Sequence, residues 1–339
     1  MRLIVTAVVL SVAVGSLANA QNTRAGTTVS ELKSWSTPWD GTRPRDPFAD
    51  QKGNVWFVGQ VGNYVARLDP SRGEFKRYEI EAGTHPHNLV VDAKGMVWFT
   101  GNASGRIVRL DPATGKTTNY PMPDPKVRDP HTMTFDRNGD AWFTAQGAGV
   151  VGKLTTSTGK IRLWNTGDQS RPYGILTDSK GRPWFDLFGT NKIGTIEPTS
   201  GKLETFTLPN ERARPRRIAI TADDAIWYGD YTRGYLGRLD PKSGKVVEYL
   251  LPSGPASLPY AMTSDDRGRI WLAETGPQPN KLVAFDPATK TFTESVTITA
   301  DKANTIRHMT FDKATRQIWF GGDANMIGRV KVAPEPLVP

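Results

Sequence analysis

Seven tryptophans recur at nearly equal intervals, and this spacing restricts the possible fold more than any other feature of the chain. Trp56, Trp98, Trp142, Trp184, Trp227, Trp271 and Trp319 follow one another at 42, 44, 42, 43, 44 and 48 residues. Each closes a short segment that begins in a turn. Examples are Gly53-Asn54-Val55-Trp56-Phe57, Gly139-Asp140-Ala141-Trp142-Phe143 and Arg316-Gln317-Ile318-Trp319-Phe320. A repeat of this length, made of short apolar runs with no helical periodicity, is the signature of propeller blades.

One unit, Asn88 to Pro123, divides into four strands. Asn88 to Asp92 is short and apolar, Met96 to Thr100 carries the tryptophan, and Arg106 to Asp111 alternates polar and apolar. Pro112-Ala113-Thr114-Gly115 is a hairpin turn, with Pro fixing φ and Gly supplying the positive φ. Lys116 to Pro121 is the outer strand, and no unit leaves room for a helix longer than a turn. A large aromatic at one place in every unit is a packing residue between adjacent sheets.

The two ends complement each other. The last unit stops after Ile327 to Val332 without an outer strand, and Val29 to Ser36 resembles the outer strands Glu74–Ile80 and Lys245–Leu251. Docked beside the C-terminal strands, it would close the ring and remove two unpaired sheet edges. The expectation is an all-β fold, a seven-bladed β-propeller of four-stranded blades, its last blade completed by the N-terminal strand.

The first twenty residues read as an address. Arg2 precedes an apolar run from Leu3 to Leu17, and Ala18-Asn19-Ala20 is a small-x-small cleavage site. The expected domains are a signal peptide, 1–20, and one propeller, 21–339, in the periplasm or secreted. No later stretch is long and apolar enough to span a membrane. There is no cysteine, which excludes disulfides, thiolate metal sites and thiol nucleophiles. The 43 basic against 34 acidic residues give a net charge of +9, which favours anionic partners. Export argues against nucleic acid, leaving a small-molecule or anionic ligand and a monomeric protein.

Counting eleven residues back from each tryptophan gives Arg45, His87, His131, Tyr173, Arg216, Tyr260 and His308. Three of the four histidines share this register, the fourth, His85, lies two residues before it, and six of the seven copies follow a proline. The register precedes the innermost strand, so it is expected in the crossover loops around one mouth of the central channel. Asn102, Gln146, Asp230, Glu274 and Asp323, shortly after the tryptophans, are candidates for the same funnel. His131 with Asp129, and His87 in the neighbouring blade, could do acid–base work near neutral pH. The basic run Arg212 to Arg217 could receive a carboxylate, phosphate or sulfate. The Gly-Lys pairs are hairpin turns, no Gly-x-Ser-x-Gly elbow is present, and Asp178, Asp265 and Asp312 are expected to cap turns.

The entry Pro130-His131-Thr132-Met133, the strand Trp142-Phe143-Thr144 and the strands Asn191-Lys192-Ile193-Gly194 and Met326-Ile327-Gly328-Arg329 resemble the virginiamycin B lyase (streptogramin lyase) family over roughly residues 29–332. The resemblance implies a seven-bladed propeller that opens a cyclic depsipeptide antibiotic at its ester by elimination, with Mg²⁺, and so confers antibiotic resistance. His87 and His131 then match the family's two histidines, with His131 as general base or acid and His87 as the polarising partner. Asp129 and Gln146 match its two metal-binding glutamates, one shorter and one neutral. In the family the pair lies in late blades, whereas here it lies in early ones. Arg45, His85, Tyr173, Arg216, Tyr260 and His308 would line the substrate. The expected function is therefore an exported streptogramin B lyase-like C–O lyase acting on an ester or lactone. The alternative is a non-catalytic periplasmic propeller binding an anionic ligand, glycan or partner protein through Arg43, Arg45, Arg171, Arg214, Arg216 and Arg217. A sugar-lactonase type would need a carboxylate-rich calcium site, for which Asp230, Glu274 and Asp323 are too scattered.

Overall fold

The computed structural model describes residues 31–300 and 304–332. The expected signal segment, and Val29 and Ser30 of the expected closing strand, lie outside the described residues. Seven four-stranded antiparallel sheets form the ring. We number the blades by their innermost strands, Pro44–Ala49, Pro86–Val91, Pro130–Phe135, Pro172–Thr177, Pro215–Ile220, Pro259–Ser264 and Ile306–Asp312. Each innermost strand packs against the next, and that of blade 7 packs against that of blade 1. Gly254–Ser257, a single 3₁₀ turn, is the one helical element among the described residues.

Closure occurs as expected. Leu32–Ser36 pairs antiparallel with Met326–Lys331, Leu32 facing Val330 and Ser36 facing Met326. Trp35 stacks on Trp319 at 5.6 Å, tying the N-terminal strand into the core of blade 7.

The repeat tryptophans are buried, and each interblade layer is built around them. Their indole N–H groups need partners once removed from water. The turn aspartates supply them, so these residues do more than cap. Asp92 accepts the amides of Lys94 and Met96 and also the indole of Trp98 at 2.8 Å. Asp50, Asp136, Asp178 and Asp265 bond Trp56, Trp142, Trp184 and Trp271 likewise, and Thr221 serves Trp227. Blade 7 is the exception. Its turn holds one extra residue, Asp312 bonds only within the turn, and the indole nitrogen of Trp319 has no partner. The Ile-Gly strands are also packing devices. A Cβ on Gly194 or Gly328 would overlap the ring of Phe185 or Phe320.

Candidate functional site at the channel mouth

Every innermost strand breaks register near its start, between the first and fourth residues as at Pro86/Leu89 and Pro130/Met133, or between the second and fifth at Arg45/Phe48. A bulge of this kind turns side chains away from the regular alternation. Two consecutive residues per blade therefore serve the channel, so that Arg216 reaches rings on its neighbours while Arg217 bonds Thr132. The functional register thus lies on the strands themselves, as the second strand residue, and not in the crossover loops. Rigid strands hold a site more accurately than loops do.

The upper ring is Arg45, His87, His131, Tyr173, Arg216, Tyr260 and Arg307. The lower ring is Asp46, Asn88, Thr132, Gly174, Arg217, Ala261 and His308. His308 is thus one position below its expected place. Met309 pairs with Phe320 as Leu89 pairs with Phe99, so Arg307 holds the blade 7 position. The extra residue in the blade 7 turn makes a count of eleven back from Trp319 stop one residue short.

The rim has a register of its own, four residues after each tryptophan. Asn102, Gln146 and Asp323 occupy it in their blades. Asp230 and Glu274 fall one residue short and are fully buried. Asp230 pairs with Arg233 at 3.0 Å, and Glu274 accepts the amide and hydroxyl of Ser253 at 2.8 and 2.6 Å. Phe188 and Tyr231, which hold this rim position in blades 4 and 5, were not singled out from the sequence. Counting forward from the tryptophan would have found them.

Arg216 is the centre of the rim. Its guanidinium lies 3.7 Å from the ring centre of Tyr260, 4.3 Å from Tyr231, 4.8 Å from Phe188 and 5.3 Å from Tyr173. Cation–π attraction of this kind fixes a cation without neutralising it. Arg307 is clamped by Asp323 at 2.6 Å and approaches the Tyr260 hydroxyl at 3.5 Å. Arg45 is buried, with Asp46 at 3.0 Å and Gln60 at 2.9 Å. The Tyr173 and Tyr260 hydroxyls share a very short hydrogen bond across the ring. Burial pushes Tyr173 up to about 12, aided by Tyr260. Burial acts on Tyr260 in the same sense, but Arg216, Arg45, Arg217 and Arg307 outweigh it and bring it down to about 8.

The two histidines expected to work together do meet. Their ring centres are 3.6 Å apart, and His131 also contacts Tyr173 at 4.2 Å. Burial, then Arg45 for His87 and Arg217 for His131, holds both imidazoles well below their ordinary pKa, so both are neutral at pH 7. The hydrogen bonds assign their tautomers. Arg217 donates to Thr132 Oγ1 at 2.9 Å, and the hydroxyl proton, which has no other acceptor among the described residues, goes to His131 Nδ1 at 2.9 Å. The ring proton of His131 therefore sits on Nε2. His87 Nδ1 lies 3.2 Å from the His131 carbonyl oxygen, which can only accept, so His87 is protonated at Nδ1 and bare at Nε2. One ring can give a proton and the other can take one.

The remaining expected residues lie outside this cluster. His85 is exposed on the rim at φ 47°, with its backbone amide bonded to Asn63 at 2.8 Å. Arg43 and Arg171 are exposed too, and the side chain of Arg214 is turned back onto the carbonyls of Glu211 and Ala213.

A profile of the virginiamycin B lyase family matches residues 40–330. The chain belongs to the virginiamycin B lyase family. The chain is similar to a solved streptogramin B lyase, with a TM-score of 0.81, 28% identity, and 90% of this chain and 98% of that one covered. The virginiamycin B lyase of Staphylococcus aureus is similar at 27% identity and TM-score 0.81, covering 90% of this chain and all of that one. A catalytically inactive histidine-to-alanine variant of the S. aureus enzyme, solved with quinupristin, superposes equally well. No curated protein matches the chain in sequence.

The late-blade register positions, where the resemblance leads one to look for histidines, hold Tyr260 and Arg307. Nor do Asp129 and Gln146 fit the magnesium that the family implies. Both oxygens of Asp129 accept backbone amides, from Gly147 and Ala148, and Gln146 carries no charge. Among the described residues no three His, Asp or Glu side chains gather to hold a metal. A hard cation needs several free charged oxygens. Among the described residues, no helix is long and apolar enough to cross a membrane.

Proposed function

We propose that the protein is an exported carbon–oxygen lyase that opens an ester or lactone by elimination at the channel mouth. The observation that carries this reading is the pair of neutral imidazoles in contact, with opposite tautomers, set beside a ring of guanidinium groups in a virginiamycin B lyase propeller. Export rests on the apolar run Leu3 to Leu17 and the Ala18-Asn19-Ala20 site.

Elimination needs a base for an acidic C–H beside a carbonyl, and a positive field for the enolate that forms. His87 Nε2 takes the α-proton. The C–H electrons form the new C=C bond, the C–O bond at the β-carbon breaks, and its electron pair leaves on the carboxylate. Arg216 and Arg307, the half-buried members of the ring, stabilise the negative oxygen, as fixed donors do at a developing oxyanion. His131 Nε2–H donates a hydrogen bond to the same charge. The network thus favours exchanging the two histidine roles that the resemblance implies.

The test is incubation with quinupristin and with simple β-acyloxy esters, followed by mass spectrometry and ultraviolet absorbance. Ring opening by elimination leaves the mass of a cyclic substrate unchanged and creates a conjugated alkene. Hydrolysis adds the mass of one water. His87→Gln should slow turnover by about 10²–10⁴-fold. No turnover of any ester, or full activity in His87→Gln, would overturn the proposal. Tight, salt-sensitive binding without turnover would favour the binding-protein alternative.

A further inference from the structure

Beneath the two rings the channel continues as a cavity of about 300 Å³ that the mouth chemistry does not use. Its walls are mostly apolar and carry no further charge, with Leu89, Met133, Ile175, Ile218, Met262 and Met309 among them and the hydroxyls of Thr134, Thr263, Ser264 and Thr310 between. Its polar boundary is the lower ring, where Arg217 is the cation.

Arg217 is only 3% exposed and is held from two sides. Its Nη1 donates to Thr132 Oγ1 at 2.9 Å, and its Nε donates to the Arg307 carbonyl at 3.3 Å. Its Nη2 has no hydrogen-bond partner, and neither does His308 Nδ1, although both residues line the cavity. The nearest carboxylate oxygen, on Asp46, is 3.9 Å from Nη2. Asp46 is already engaged, by Arg45 at 3.0 Å and by Asn88 at 2.8 Å. Asp186, close to the same guanidinium, is pushed toward its neutral acid by burial. Gly174 lets Asp186 and Arg217 pack close together, since a Cβ there would stand 2.6 Å from Asp186 Oδ2 and 3.2 Å from the Cα of Arg217.

A buried guanidinium edge with an unmet donor, at the end of an apolar tube, is complementary to a molecule with one negative head and an apolar tail. We propose that this cavity is a binding site for a short-chain monocarboxylic acid, its carboxylate on Arg217 Nη2 and His308 and its alkyl chain along the methionine-rich wall. A phosphate or a dicarboxylate would place a second charge against apolar walls with no counter-charge, which is costly. This site is independent of the lyase reading, because its occupancy can be measured without turnover.

The test is calorimetric titration of the full chain with sodium hexanoate, compared with acetate and with hexanol. Hexanoate should saturate one site, and acetate and hexanol should each bind at least about tenfold more weakly. Arg217→Gln should weaken hexanoate by about tenfold or more. Met262→Trp, which fills the wall without touching the guanidinium, should do the same, while Arg216→Ala at the mouth should change it less than about twofold. Should Arg217→Gln not fold, the ligand series and Met262→Trp decide. Lack of saturation by about 10 mM hexanoate, equal binding of hexanol, or indifference to Met262→Trp would overturn the proposal. Loss of binding in Arg216→Ala would place the acid at the mouth and overturn it as well.

Discussion

Asp46 is the anion on which the plug of the channel depends, and its removal is the most informative perturbation. Its side chain is fully buried, bonds Arg45 at 3.0 Å and Asn88 at 2.8 Å, and lies 3.9 Å from Arg217. Asp46→Asn keeps the shape and the contact with Asn88 but leaves two buried guanidinium groups without their counter-charge. Breaking a buried pair from one side costs about 3–5 kcal/mol, or a fall in Tm on the order of 10 °C for a domain of this size. The pH dependence follows with a definite sign. Burial opposes ionisation of Asp46, but Arg45, His308 and Arg217 hold its carboxyl well below the usual carboxylate range. The native state therefore binds fewer protons here than the unfolded chain. This contribution is complete above the ordinary carboxylate pKa of about 3.9 and disappears as pH falls through the depressed folded value. Calorimetric Tm values for wild type and Asp46→Asn should differ strongly at pH 7 and converge in strong acid. A loss below about 1 kcal/mol at pH 7, the scale of an exposed ion pair, would refute the reasoning.

Other predictions follow from single contacts. Burial depresses His87, His131 and His308, the last to about 4, so unfolding takes up protons below pH 6.5 and stability should fall with acidification by up to about 4 kcal/mol per pH unit. A Tm that stays flat between pH 7 and pH 5 would contradict this. Gly174→Ala would set a Cβ 2.6 Å from Asp186 Oδ2 and should cost about 1–3 kcal/mol in urea denaturation. Deleting Ala314 gives the blade 7 turn the length of the others and should let Asp312 reach the Trp319 indole. We expect about 1 kcal/mol of added stability from that deletion, measured by thermal melting. Because Asp129 spends both oxygens on backbone amides, Mg²⁺ should produce no saturable heat on titration, and chelation should leave Tm unchanged.

The ring itself was legible because each blade repeats the same solution to the same packing problem. Tryptophan spacing, turn residues and the orphan third strand at the C-terminus fixed blade number and closure before any coordinates. The site was legible only as a set of residues. Counting from tryptophan works while every turn has one length, so Arg45, His87, His131, Tyr173, Arg216 and Tyr260 fell in register and His308 did not. The inner-strand bulge has no fixed residue signature, which hid the fact that Arg217, Asp46 and Thr132 also face the channel. Asp230 and Glu274 failed for the simplest reason, since one step along a strand reverses the direction of a side chain. Phe188 and Tyr231 were missed because they match no polar site pattern, although they hold Arg216 in place.

The strand Leu32–Ser36 has to wait for its partner. It is made well before the residues it pairs with, Met326–Lys331, which lie six sheets further along the chain. Six complete sheets can assemble on the growing polypeptide while Trp35 still has nothing to stack against. Until Met326–Lys331 is in place the circle has a gap, and the guanidinium groups and imidazoles that converge at its centre cannot all reach their neighbours. The arrangement of side chains at the pore is therefore complete only once the seam is joined.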